Sequence, residues 1–264
     1  MGKAITGLSA IAEQRLQERM TLRLSAVYEV RYRREISRAM REMAAAYDSP
    51  GAQSAAKGKH AENIQRLLEG EYNAAFEMFG ARILDAAIKS YDKRELKFTD
   101  IPRTDIFDEA QRQWISANGA AKVTRISGTT FDQAMALINK AVADAVTEGL
   151  GAAATAALIR QRMAQQAVVV SSFRARMIAR TEAHTAANAA THEAAIASGV
   201  VTQQEWVSSA DERTRIDHVD ANGQTVGIRE KFNVGGELLE YPGDPSGSAE
   251  NIINCRCAAI HIVE

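Results

Sequence analysis

A short polar run at residues 208–223 gathers several side chains that could do chemistry. It contains two arginines, an aspartate ahead of them and one histidine, and it closes with an Asn-Gly pair; these residues are Asp211, Arg213, Arg215, His218 and Gly223. The spacing predicts a single helical turn, in which Asp211 accepts N–H groups at the start and Gly223 ends the turn. Arg215 and His218 are three residues apart and are expected to share one face.

The two cysteines of the chain follow in the segment Asn254-Cys255-Arg256-Cys257. If this segment is a strand, Cys255 and Cys257 point to the same face, and so does His261. Residues two apart on a strand suit poorly the geometry of a disulfide bond, so reduced thiols are expected.

These thiols could take part in a metal site. Together with His218, and with His184 or His192 from an earlier helix, Cys255 and Cys257 could form a thiolate–imidazole site for zinc. Zinc sites usually have two or more residues between paired cysteines, however. The expectation is therefore no cofactor, with the thiols packed or hydrogen-bonded.

A cysteine beside a histidine also suggests nucleophilic catalysis, with His218 as the base and Asp211 or Asp217 as its orienting group. No local nucleophile signature surrounds either cysteine. No Gly-rich phosphate loop, His-Glu-x-x-His pattern or glycosidase-like carboxylate pair is found. The chain is predicted not to be an enzyme.

Composition sets limits on partners and location. The 264 residues carry a net charge of -1, so attraction to nucleic acid requires a local basic patch. No apolar run reaches the ~18 residues of a membrane span, and the N-terminal segment that begins at residues 1–5 lacks the apolar core of a signal peptide. The abundance of alanine and the four prolines favour helices.

The elements before the polar run are predicted to be helical. Two long helices, at about 6–48 and 54–95, should form an antiparallel hairpin. The first carries an apolar stripe that could anchor in a partner's groove, at Tyr28, Tyr32, Ile36 and Met40. It also carries an arginine cluster, which is either a solvated face or a contact for DNA or an acidic partner; its members are Arg31, Arg33, Arg34, Arg38 and Arg41. The alternative to docking is a single bundle with residues 131–198.

The middle of the chain is predicted to alternate. Short strands are expected at 97–102 and 122–126, with a short helix at 107–115 between them. A new helix should begin at Thr130, with Gln133 completing a capping box. Helices at about 152–164 and 172–198 follow, the second capped by Ser171 or Ser172.

From residue 203 short alternating segments predict a small antiparallel sheet, with a hairpin turn at Gly235–Gly236 and Trp206 in the core. The predicted fold class is α+β, mostly α: a long N-terminal helical hairpin, a helical middle and a small antiparallel β-rich C-terminal module. The predicted domains are an N-terminal arm, 1–124, and a domain at 125–264 with helices at 130–198 and the β-rich module at 203–264.

The order of motifs resembles the phage Mu protein F-like minor head proteins, also called phage head morphogenesis proteins. The resemblance covers roughly residues 125–264. Its residues are Arg180, Thr181, Glu182, Trp206, Asp211, Arg213, Arg215, His218, Gly223, Pro242, Pro245, Asn254, Cys255, Arg256 and Cys257. Among them, Glu182 is expected to pair with Arg213 or Arg215.

The resemblance implies a minor structural protein of a tailed bacteriophage or prophage. Such a protein would lie inside the capsid near the portal vertex of the virion after assembly in the host bacterial cytoplasm. It would act in head morphogenesis and in DNA packaging or delivery. Its partners would be the portal protein and other phage head proteins, and the packaged DNA could be a further partner. No membrane contact is expected. Two alternatives remain: a DNA-binding protein that accompanies the packaged genome, and a metal- or thiol-dependent enzyme or effector. No added catalytic domain is expected after residue 257.

Overall fold

The computed structural model describes residues 3–92 and 104–263. Most of them are helical, and the sheet is small and antiparallel, so the predicted α+β, mostly α class is confirmed. The long helices are α1 Ala10–Ala45, α2 Pro50–Ala75, α3 Ala81–Asp92, α4 Thr104–Thr147 and α5 Ala152–Ser198. A π-helical turn, Phe76–Gly80, joins α2 to α3.

The chain forms two compact units. The first combines residues 1–25, 70–117 and 180–264, and the second combines 26–69 and 118–179. The helices α1, α2, α4 and α5 therefore each supply residues to both units. The predicted division into 1–124 and 125–264 concerns segments that fold by themselves, and it stays a prediction.

Within the second unit, α1 and α2 pair in antiparallel fashion, as the sequence predicts. Glu42 near the end of α1 lies 3.5 Å from Lys59. Glu35, about two turns earlier in α1, lies 2.8 Å from Nδ1 of His60. Residues that come later in α2 thus meet residues that come earlier in α1. The helical hairpin is confirmed in this unit.

The apolar stripe of α1 is covered by the second unit itself. Its members are buried: Tyr28, Tyr32, Ile36 and Met40. Helix α5 meets α1 beside this stripe, since the hydroxyl oxygens of Ser37 and Ser171 lie 3.4 Å apart, and α4 meets α2, since Lys57 lies over the ring of Phe131. The prediction that this stripe anchors in a partner's groove is wrong, because two helices alone cannot bury it and the bundle does.

The predicted breaks in the middle of the chain are wrong. Residues 122–126 lie inside α4, and Thr130 donates its hydroxyl to the carbonyl of Ile126 at 2.8 Å instead of capping a new helix. Likewise, Ser172 donates to the carbonyl of Val168 at 2.8 Å, and α5 continues through it. A hydroxyl that bonds one turn back is satisfied within a helix. The strand predicted at 97–102 lies outside the described residues.

The first unit contains the predicted sheet. Its strands are β1 Lys3–Ala4, β2 Gln203–Val207, β3 Thr225–Gly227, β4 Phe232–Val234, β5 Glu237–Leu239 and β6 Ala258–Val263. Four of them form an antiparallel sheet in the order β1-β6-β2-β3. The other two, β4 and β5, form a hairpin across Gly235–Gly236, whose φ angles of 59° and 88° only glycine adopts readily.

The core of the C-terminal module lies between these strands and two short helices, α6 Ile216–Asp220 and α7 Ala249–Ile252. Trp206 is fully buried there and packs edge-on against Phe232, as predicted for the core. Leu239 and the two cysteines belong to the same apolar cluster. None of the described helices combines the length and the apolar composition that a membrane span needs.

Candidate functional site

Three elements of the first unit bring one histidine pair and both thiols together. His184 comes from α5, His218 from α6, and the thiols of Cys255 and Cys257 come from the loop between α7 and β6. We call these four side chains the His–Cys cluster. All four are buried.

The thiols do not lie on a strand, which corrects the sequence-based expectation. The Cys255 N–H bonds back to the carbonyl of Ile252 at 3.2 Å, Asn254 has a φ of 55°, and β6 begins only at Ala258. The chain therefore turns sharply just before the cysteines. His261 lies further along β6 and is outside the cluster.

His218 presents one ring nitrogen to both sulfurs. Its Nδ1 lies 3.3 Å from Sγ of Cys257 and 3.6 Å from Sγ of Cys255. Its Nε2 lies 3.2 Å from Oδ1 of Asn251, whose amide nitrogen in turn donates to the carbonyl of Val234. Since Oδ1 can only accept, the ring proton belongs to Nε2, and the lone pair of Nδ1 faces the thiols.

His184 is oriented from the other side of the cluster. Its Nε2 lies 2.8 Å from the carbonyl oxygen of Cys257 and donates to it, while its Nδ1 has no hydrogen-bond partner. The ring packs on Gly243, where an added Cβ would come within 2.8 Å of Nδ1. With its φ of 82°, Gly243 is needed both for the backbone turn and for this close approach.

The surroundings of the two thiols shift their pKa values in opposite directions. Burial alone raises the pKa of the Cys255 thiol, but the hydrogen bond from Cys257 and the nearby His184 and His218 bring this pKa well below its usual range. The hydrogen bond to Cys255, together with burial, raises the pKa of Cys257 well above its usual range. Burial lowers the pKa of His184, but the Cys255 thiolate more than compensates and raises it. The pKa values of the two thiols are therefore shifted in opposite directions by their shared surroundings.

The cluster is enclosed. His218 packs edge-on against Trp206 at 5.6 Å between ring centroids, and both cysteines are less than 5% exposed. A nucleophile must meet its substrate at hydrogen-bond distance. The burial of both sulfurs therefore favours an internal structural role for the cluster over a thiol active site.

A surface ion pair fixes the loop that carries the thiols. Arg256 lies between the two cysteines and contacts Asp211 through two bonds of 2.6 and 2.5 Å, with Glu18 of α1 at 3.6 Å. This pair holds the pKa of Asp211 far below its usual value. Asp211 also accepts the N–H of Arg213 at 3.1 Å, so it organises the turn before α6, which itself begins only at Ile216.

The remaining charged motif residues have other partners than predicted. Glu182 accepts the hydroxyl of Tyr72 at 2.8 Å, and Arg215 donates to the backbone carbonyl of Ile253. Arg213 pairs with Asp211 at 3.5 Å. The predicted ion pair between Glu182 and Arg213 or Arg215 is therefore wrong, because the arginines are used at the surface and at a backbone oxygen.

Other motif residues shape the backbone around the cluster. Thr181 accepts the N–H of Asn254 at 3.2 Å, Pro242 is buried and Pro245 is partly buried. Gly223 has a φ of 81° and donates its N–H to the carbonyl of Trp206 at 2.8 Å, so it ends the turn as predicted. Arg180 is exposed.

The arginine cluster of α1 belongs to the second unit, whereas these motif residues belong to the first. Arg38 pairs with Glu35 and Glu42 on its own helix. The other members are exposed, and none forms an ion pair with a carboxylate of the described residues; they are Arg31, Arg33, Arg34 and Arg41.

Some residues of the site were missed from the sequence. Asn251 orients His218, Tyr72 donates to Glu182, and Trp114 donates its indole N–H to the hydroxyl of Tyr241 at 2.7 Å. Tyr72 and Trp114 are more than one hundred residues away from their partners along the chain and lie in ordinary helices, so no local pattern marks them. Asn251 is one of several polar residues near the cysteines, and its spacing carries no signal.

The comparisons with known proteins agree with the motif order. Residues 136–260 match the family model described as Phage Mu protein F like protein, a range that contains all the motif residues named above. No curated protein and no solved structure matches the chain. The predicted family is confirmed over this range: residues 136–260 are similar to the phage Mu protein F-like proteins, a family of phage head morphogenesis proteins.

Proposed function

We propose that this chain is a minor structural protein of a tailed phage or prophage head. It lies inside the capsid at the portal vertex and acts in head morphogenesis and in DNA packaging or delivery. The match of residues 136–260 to the family model is the observation that carries this proposal. Its partners are the portal protein and other head proteins, and it is not an enzyme.

The enclosed motif residues support a structural role. Trp206, His218 and both cysteines lie in the core of the C-terminal module, and Arg256 is fixed by Asp211. Residues used in this way stabilise a fold, and none of them presents a reactive atom to solvent. The contact with head proteins must therefore use other, exposed side chains.

Helix α5 offers such side chains in the second unit. Three of its apolar residues are 60% to 71% exposed: Val168, Val169 and Phe173. Apolar and aromatic side chains of this kind supply most of the binding free energy when a partner buries them. We therefore place the portal contact on this segment of α5.

The test is assembly of procapsids from co-expressed head proteins, with and without the portal protein. We expect the full chain to enter particles that contain the portal, at a few copies per particle, and to appear at one vertex when particle images are reconstructed without imposed symmetry. Normal incorporation into portal-free particles, or density spread over the whole shell, would contradict the portal association.

A matched pair of variants tests the surface. Val169→Ser with Phe173→Ser should lower the copy number per particle, measured by quantitative mass spectrometry. Val146→Ser, at an equally exposed position of α4 in the same unit, should leave it unchanged. Both proteins should keep wild-type helicity by circular dichroism, so that loss of folding is distinguished from loss of docking.

One observation favours a second function. The exposed arginines of α1 have no carboxylate partner among the described residues, which is the state expected of a phosphate-binding surface; they are Arg31, Arg33, Arg34 and Arg41. Through them the protein would contact the packaged genome. This contact is compatible with a portal location.

A further inference from the structure

We infer that the first unit binds one Zn²⁺ ion through Nδ1 of His218 and the sulfurs of Cys255 and Cys257, with His184 as the fourth ligand. This inference rests on the geometry of the His–Cys cluster and does not depend on the proposed role in the phage head. The ion would be structural and would hold α5, α6 and the loop before β6 together.

The distances between the donor atoms fit a tetrahedral ion. Zinc bonds of about 2.3 Å to sulfur and about 2.0–2.1 Å to nitrogen place nitrogen and sulfur ligands about 3.5 Å apart. Nδ1 of His218 lies 3.3 and 3.6 Å from the two sulfurs. The donor atoms of these three residues all lie within 4.8 Å of one another. Little movement is needed to surround an ion.

The histidine already has the tautomer that a metal ligand requires. Nε2 of His218 donates to Oδ1 of Asn251, and the amide nitrogen of Asn251 donates to the carbonyl of Val234. Metal-ligating histidines usually donate their second ring N–H to an oxygen in this way, which fixes the ring and directs the free lone pair at the metal.

His184 supplies the fourth position. It interacts with the sulfur of Cys255, is 5% exposed, and leaves its Nδ1 without a hydrogen-bond partner. Its ring nitrogens lie outside the group of donor atoms that are within 4.8 Å of one another, so the ring must shift to reach the ion. A buried ring nitrogen without a partner is costly, and coordination to an ion removes that cost. Four protein ligands would leave no open position, which is the arrangement of structural zinc sites.

The backbone explains how two cysteines with a single residue between them can share an ion. The positive φ of Asn254 turns the chain before Cys255, and the intervening Arg256 is held toward Asp211 and Glu18. Both sulfurs then point inward at His218. Zinc sites usually have two or more residues between paired cysteines, but the sharp turn in this segment lets both sulfurs face Nδ1 of His218 with a single residue between them.

The first experiment uses the full chain, purified in reductant. We expect one zinc per chain by inductively coupled plasma mass spectrometry. The sequence contains only two cysteines, so titration with a mercurial reagent, followed with a zinc indicator, should release one zinc as two thiols react. Thiols that react without releasing zinc, or a chain that takes up no zinc at micromolar concentration, would overturn the inference.

The second experiment compares variants of the full chain by competition with a chelator and by Co²⁺ absorption. Cys257→Ser and His218→Ala should lose stoichiometric zinc, and Cys257→Ser should weaken the sulfur-to-cobalt charge-transfer band. Asn251→Ala should lower zinc affinity by about 10–100-fold, as expected for a group that orients a ligand. His261→Gln, at a buried histidine of the same unit outside the cluster, should keep one zinc per chain.

The outcomes separate the ligands. Wild-type zinc affinity in both Cys255→Ser and Cys257→Ser would overturn the inference, and wild-type affinity in His184→Ala would overturn the assignment of the fourth ligand. If a serine variant fails to fold, the zinc and thiol stoichiometry of the wild-type chain decides alone.

Discussion

His261 is the buried histidine whose ionisation has the clearest consequence for stability. It lies in β6, opposite Gln204 of β2, and near two positive or ionisable groups, His192 of α5 and Arg82 of α3. Burial, with smaller contributions from His192 and Arg82, lowers its pKa to about 3. The unfolded chain, with a histidine pKa of about 6.5, therefore binds one more proton between these two values.

The sign of the pH effect follows. A group whose pKa is lower in the folded state stabilises the fold above the unfolded pKa and loses this contribution as the pH falls. We expect the free energy of unfolding of the wild type to decrease below pH of about 6.5. In His261→Gln the slope should be smaller by up to about 1.4 kcal/mol per pH unit. Urea denaturation with a chelator present measures both slopes, and equal slopes would contradict the assignment.

At the scale of single residues, the sequence identifies important side chains more reliably than it identifies their partners. His218, Cys255 and Cys257 were recognised as a possible ligand set because their chemistry is visible in their types. Glu182 and Arg215 were recognised too, but as a pair that does not form. The difference arises because partners such as Tyr72 and the carbonyl of Ile253 are set by the packing of distant segments.

At the scale of elements, the junction of α2 and α3 shows how close packing replaces a regular helix. The sequence predicts one helix at 54–95, and the structure interrupts it with the π-helical turn Phe76–Gly80. Gly80 lies against the ring of Phe107 in α4, where an added Cβ would come within 2.1 Å of the ring. π-Helical turns need one extra residue and leave no strong mark in the composition.

A pair of glycine variants tests this contact. Gly80→Ala should destabilise the full chain by about 1–3 kcal/mol, because the methyl group overpacks against Phe107. Gly128→Ala, in the interior of α4 with nothing within 4 Å of the added Cβ, should instead stabilise it by up to about 1 kcal/mol. Urea denaturation measures the free energy of unfolding of both variants. If Gly80→Ala also stabilises the chain, the contact between Gly80 and Phe107 is unimportant.

The predicted helix boundaries are wrong at three single polar residues. Thr130, Ser171 and Ser172 are good capping residues, but in α4 and α5 their hydroxyls bond to carbonyls inside the helix. Turns that require a particular backbone shape were predicted correctly, as at Gly235–Gly236. A glycine pair with positive φ has few alternatives, whereas a serine fits either context.

At the scale of the whole molecule, the fold class and the family could be predicted, and the grouping of segments could not. Helical periodicity and short alternating strands are local signals. The joining of residues 1–25 and 70–117 with 180–264 in one unit depends on contacts such as Trp114 with Tyr241. Such contacts have no periodic signature.

Because the net charge is only -1, any attraction to DNA must come from a local patch of positive charge. If the arginine cluster contacts the genome, the full chain should bind duplex DNA with a non-specific Kd of about 10⁻⁴–10⁻⁶ M, weakening steeply with salt. Replacing Arg31, Arg33 and Arg34 by Gln should reduce the slope of log affinity against log salt by about one for each phosphate that is no longer neutralised. Fluorescence anisotropy measures the slope.

The control is Arg112→Gln, an exposed arginine of α4 that pairs with Glu109. It should leave the salt dependence unchanged. If the slope is the same in the wild type, the triple Gln variant and Arg112→Gln, the arginine cluster is not a DNA-binding surface. Only the structural role would then remain.

The place of β6 in the sheet has a consequence for how the protein is made. This strand is translated after every other described element, and yet it lies between β1 and β2 and pairs with both. During synthesis β1 therefore cannot pair with β6 until residues 258–263 have been translated. The two thiols emerge only just before them. The first unit thus closes in a late step that joins opposite ends of the described chain, a long-range pairing that is slow by nature.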